Sequence, residues 1–125
     1  MTTQTTETRI QQMTNAVDEI RRAASALRDA LSASESADKR ASDALARSEA
    51  AANAARMMLV GFSGEDDLQS MVEAVNAINL SVSEARAAKS RAVEAVRMDQ
   101  DALASMLAAE KIATRVYVSF FNANR

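Results

Sequence analysis

Three consecutive carboxylates, Glu65-Asp66-Asp67, make the densest acidic run in the chain, directly after Gly61-Phe62-Ser63-Gly64. Clustered carboxylates are the raw material of an oxygen-ligated cation site or of acid–base chemistry. Neither use finds its usual companions here. The chain has no His and no Cys, which removes the ordinary neutral-pH base, the commonest zinc ligand and the thiol nucleophile. No nucleophile–base set and no glycine-rich phosphate loop replaces them. A helix start accounts for the same residues more simply. Ser63 caps the helix with Asp66 three positions on, and the acids occupy a first turn where the helix dipole favours negative charge. No catalytic residues, cofactor or metal are therefore expected.

The cations point the same way. Arg supplies 12 of the 15 basic residues. A chain folded back at the glycines brings Arg86, Lys89, Arg91 and Arg97 near Arg21, Arg22, Arg28 and Arg40. Asp29, Glu35, Asp38, Glu84 and Glu94 are interleaved with them, no aromatic residues accompany them for base stacking, and the net charge is −2. This is the pattern of a solvated, salt-bridged helix face, and it argues against a nucleic-acid partner.

The elements that carry these residues follow from composition. At 125 residues the chain is long enough for one domain. Ala accounts for 28 residues, Pro is absent, and the only glycines are Gly61 and Gly64. β-rich and α/β folds need many turns, and turns draw on Gly and Pro. One glycine pair punctuates one turn. The expected fold is all-α: an antiparallel two-helix hairpin, an alanine-rich coiled coil, with one helix over about 8–60, a turn at 61–64 and a second helix over about 65–120. Thr8 with Gln11 is the expected capping box of the first helix, and residues 2–7 and 122–125 are expected to fray. Gly61 is expected to close the first helix in the left-handed conformation.

With Ile10 at heptad position a, the a/d series runs Ile10, Met13, Val17, Ile20, Ala24, Leu27, Leu31, Ser34, Asp38, Ala41, Leu45, Ser48, Ala52, Ala55, Leu59, Phe62. With Leu68 at a, it runs Leu68, Met71, Val75, Ile78, Val82, Ala85, Lys89, Ala92, Val96, Asp99, Leu103, Met106, Glu110, Ala113, Tyr117, Phe120. Both keep the 3-4 spacing without interruption. Position g is Ala or Ser at twelve positions: Ala16, Ala23, Ala30, Ala37, Ala44 and Ala51 in the first helix, then Ala74, Ser81, Ala88, Ala95, Ala102 and Ala109 in the second. Small residues there predict a flank along which the two helices approach closely. Asp38 and Lys89 are opposite charges at a positions that the fold brings to one level, an expected pair that fixes register. The seam is weakest from Ser34 to Ala41. The absence of Gly and Pro predicts continuous helices there, the alternative being a break into a shorter three- or four-helix bundle. Unbroken helices at 1.5 Å per residue give a hairpin roughly 80 Å long.

One narrow seam, much of it Ala, buries little apolar surface, so completion into a helical bundle by oligomerisation or by a helical protein partner is expected. Val72, Val93 and Leu107, at e positions opposite the alanines, and the terminal aromatics Tyr117, Phe120 and Phe121 are the candidate interface residues. Phe121 falls off the seam and is the favoured intermolecular contact; Tyr and Phe dominate interface energetics. The Met57, Met58, Leu59, Val60 and Phe62 cluster reads mainly as the core of the turn. No apolar run approaches the ~20 residues of a membrane span. The N-terminus lacks the basic and apolar regions of a Sec-type signal, so a cytoplasmic location or a signal-independent export route is expected.

Phe62-Ser63-Gly64 between two long helices resembles the W-x-G turn of the small helical-hairpin substrates of type VII secretion, with Phe in place of Trp, and Leu59-Val60-Gly61 resembles the L-x-G variant. The resemblance implies export as a helical homodimer or heterodimer, with Phe62 and Gly64 in the turn signature. Two features depart from that family: the helices are longer, and Tyr117 is followed four residues later by Phe121, where the export signal carries an acid. The sequence reading is thus a non-enzymatic coiled-coil interaction or assembly protein. The alternatives are a type VII secretion substrate, a structural subunit of a filament or virion, and a phage or bacterial adaptor or inhibitor.

Overall fold

A computed structural model describes residues 3–61 and 65–124, with side chains over 5–61 and 68–124. It contains two helices, α1 (Thr3–Val60) and α2 (Glu65–Ala123). Both form where the sequence offers no breaker and abundant Ala, the best helix former. Local pairs reinforce them: Glu19–Arg22 at 2.6 Å, Asp18–Arg21 at 3.9 Å and Arg97–Asp101 at 3.5 Å. Pairs at these spacings meet on one helix face and each adds a few tenths of a kcal/mol, roughly 0.2–0.5.

α1 runs without interruption through Ser34–Ala41, so the mid-helix break does not occur. Both helices extend beyond their expected ends. α1 begins at Thr3, which places Thr8 inside the helix and removes the expected cap with Gln11. α2 continues to Ala123, because Asn124 closes it. The Asn124 backbone N–H reaches the carbonyls of Phe120 and Phe121, both at 3.2 Å, and its side-chain Nδ2 donates to the Phe120 carbonyl at 2.8 Å. These carbonyls are the last-turn acceptors that a helix leaves unpaired.

Gly61 departs from expectation. No described glycine has a positive φ, so α1 does not end in a left-handed glycine cap. A Cβ at Gly61 would lie 3.8 Å from the Met58 carbonyl oxygen, an ordinary contact. Gly61→Ala should therefore leave the fold intact. Urea denaturation should show a gain of up to about 1 kcal/mol, from the smaller entropy of the unfolded chain. Phe62, Ser63 and Gly64, and the side chains of Glu65, Asp66 and Asp67, lie outside the described residues.

The chain divides into two compact units. The first comprises Met1–Ala33 with Arg97–Arg125, and the second Ser34–Val96. In the second unit the cross-helix pairs are Asp38–Lys89, Glu49–Arg86 and Arg56–Asn79. The numbers rise along α1 as they fall along α2, which is the antiparallel order of a helical hairpin. In the first unit Arg21 pairs with Glu110 at 3.6 Å. Each unit has its seam at the a/d positions. Val17 and Ala24 are the buried apolar residues of the first, and Ala52 and Val82 those of the second.

Candidate interaction surface

Every a and d position of α1 from Ile10 to Leu59 is at least partly buried, as is every one of α2 from Met71 to Phe120, while Leu68 is exposed. The alanine flank behaves otherwise. Nine of the twelve g residues are exposed, and only Ala23, Ala37 and Ala88 are partly covered. Most of that flank is open to solvent, and burial beyond a and d is partial, as at those three residues and at Thr14, Ser42, Glu49 and Thr114 on the e flank.

The opposite, e-lined flank holds the polar cross-links. Arg86 Nη2 lies 3.5 Å from Glu49 Oε1, and Arg56 Nη2 donates to Asn79 Oδ1 at 3.0 Å. In the first unit Thr14, Asp18, Arg21 and Thr114 line a small polar depression with Val17 and Tyr117. The candidate residues Val72, Val93, Leu107 and Phe121 sit at e positions of α2 and are 37%, 48%, 36% and 41% exposed. They are half-open positions on flanks that also carry charge. Tyr117 and Phe120 are partly buried in the seam. Phe121 stacks on Tyr117, with ring centroids 6.1 Å apart and 24° between planes. Part of its contact is thus made within its own helix. Phe121→Ala should cost about 0.5–1.5 kcal/mol of local stability, read as faster amide exchange in the last turns of α2 with total helicity nearly unchanged.

Asp38 and Lys89 meet, Nζ to Oδ1, with their side chains about 30% exposed. Their a positions put both stems in the seam and both charges at its edge. Arg21, Arg22, Arg86 and Arg97 also lie against carboxylates. This leaves a mixed-charge surface rather than a basic track. Among the described residues there is no group of three acids able to hold a metal ion, and no helix is long and apolar enough to cross a membrane.

Reading g alone missed the most apolar surface of the first unit. Position c lies beside g on each helix. In α1 the c/g residues of this unit with described side chains are Thr5, Arg9, Gln12, Ala16, Glu19, Ala23, Ala26, Ala30 and Ala33. In α2 they are Met98, Ala102, Ser105, Ala109, Ile112, Val116, Ser119 and Ala123. Arg9 and Glu19 are the two charges among them. Met98, Ile112 and Val116 are 60%, 57% and 53% exposed, more open than any e-position candidate. Where the helices meet on this flank, Met13, Ala16, Val17, Ala113 and Val116 line an apolar groove. In the second unit the same positions carry Arg40, Arg47, Glu84 and Arg91. Extending the heptad count from g to c would have exposed this contrast.

Comparison with known protein families, curated proteins and solved structures gives no match to this chain. The Phe62-Ser63-Gly64 signature that resembles the type VII secretion turn falls outside the described residues.

Proposed function

We propose that this chain is a non-enzymatic assembly protein that acts through helix–helix contacts. One observation carries the reading. Among the described residues thirteen large apolar side chains are exposed, against four buried apolar residues, two of them alanines, and no large side chain is fully buried. Isolated exposed apolar residues are ordinary on soluble proteins. Here they outnumber the core, and an α-helical layer gains most of its stability by burying such a face against another layer.

The reading is tested by following thermal unfolding of the purified chain by circular dichroism, with a dye that fluoresces on apolar surface. The expected result at low concentration is a broad, low-temperature transition with dye bound. Sharpening and dye release should follow when a helical layer is supplied, by self-association or by a partner. A sharp, concentration-independent transition of a monomer that binds no dye would show a chain complete in itself and would sink the reading.

A further inference from the structure

We infer that the c/g flank of the first unit is the docking face for a second copy of this chain, with α1 of each copy lying on α2 of the other. The inference rests on the helix–helix reading above and names its partner. Three observations support it. The first is exposure. Met98, Ile112 and Val116 on this face are 60%, 57% and 53% exposed, and large apolar side chains left open together beside an apolar groove are the mark of an interaction site.

The second is charge. Of the c/g residues in this unit only Arg9, in the first turns of α1, and Glu19 are ionised, so the face from Ala23 to Ala33 and from Met98 to Val116 carries no charge, whereas the corresponding flank of the second unit carries Arg40, Arg47, Glu84 and Arg91. Interface centres are depleted in charge. The contrast places the contact on the first unit and leaves the other flank to solvent.

The third is shape, and it selects a second copy over an unrelated helix. The α1 half of the face is small: Ala16, Ala23, Ala26, Ala30 and Ala33. The α2 half carries the bulk: Met98, Ile112 and Val116. A two-fold axis along the helices lays the small half of each copy on the large half of the other, so the same surface supplies both bump and hollow, as an isologous contact requires. An axis across the helices would set alanine on alanine and bulk on bulk, leaving a gap at one side. Ala16 and Val116 line one groove and so lie at one level. The parallel axis therefore brings Ala16 of one copy against Val116 of the partner subunit.

The chain has no cysteine, so each introduced thiol is the only one present. Ala16→Cys and Val116→Cys chains, one carrying a size tag, are mixed in full-length form and oxidised. Heterologous Ala16–Val116 disulfides should predominate over either symmetric disulfide, because only that pair falls within disulfide reach. In sedimentation equilibrium the unmodified chain should be a dimer. Ala30→Arg and Ile112→Arg change exposed positions of the protomer, so each should fold, yet weaken dimerisation on the order of 100-fold or more by burying an unpaired charge. Leu107→Arg, on the other flank, should leave the dimer intact.

A dimer insensitive to Ala30→Arg and Ile112→Arg, or one linked through Leu107→Cys instead, overturns the assignment of this face while leaving helix–helix assembly standing. A monomer that unfolds broadly and binds dye overturns the second copy as partner but not the assembly reading. A sharply melting monomer without dye overturns both.

Discussion

Ala24→Leu should destabilise the first unit by about 1–3 kcal/mol, and Ala52→Leu should do the same to the second. Ala24 is 0% exposed and Ala52 3% exposed, so three added carbons at either site have nowhere to go without moving the facing helix. The same change at Ala44 or Ala95, exposed g positions of the second unit, should lose less than about 0.5 kcal/mol. Leu is nearly as good a helix former as Ala, so propensity does not blur the comparison. The check is thermal unfolding by circular dichroism, where each kcal/mol shifts the midpoint of a domain this size by roughly 4 °C. Equal midpoints for Ala52→Leu and Ala44→Leu would mean that the seam does not lie at a and d. The four variants divide the alanines into two populations, those that set the spacing of the helices and those that cover them.

The second large effect is at Asp38 and Lys89. Removing either partner leaves a half-buried charge in the seam, so Asp38→Leu and Lys89→Leu should each cost on the order of 1 kcal/mol. The double Leu variant should recover that loss and exceed the parent, because two large apolar residues then fill the layer. The pair's contribution is to specificity. Cysteines in place of Arg56 and Asn79, whose side chains touch in the native alignment at 3.0 Å, report the correct register. Cysteines in place of Glu49 and Asn79 report a slip of one heptad. The parent background should link only through the first set, and the double Leu background should also link through the second, with a shallower urea transition. Unchanged linking and unchanged cooperativity in both single variants would remove the register role from this pair.

Much of the fold was legible because one periodicity ran through it. The a/d assignment from Ile10 to Leu59 and from Met71 to Phe120 coincides with partial or full burial at every position, and the ion pair at Asp38 and Lys89 follows from counting back around a single turn. The helix ends were less legible, since Asn124 closes α2 through its own side chain, and Gly61 ends α1 without the left-handed geometry that glycine makes available. A second exposed surface was not legible from either helix alone. A row of alanines suggests tight packing, but the same row is also the small half of an exposed face whose large half, Met98, Ile112 and Val116, lies on the other helix. Its chemistry emerges only when c and g positions of both helices are read together, and that needs the fold first.

The Tyr117–Phe121 stack has a consequence for how this protein is observed. The chain has no Trp, and Tyr117 is its single Tyr. All of its tyrosine absorbance and emission therefore originates in one ring, held 6.1 Å from Phe121 in the first unit. A near-ultraviolet signal is a local gauge of the C-terminal end of α2, whereas far-ultraviolet dichroism averages over both helices. If the near-ultraviolet signal changes at a lower temperature than the far-ultraviolet one, the first unit loosens before the bulk of the helices unfold.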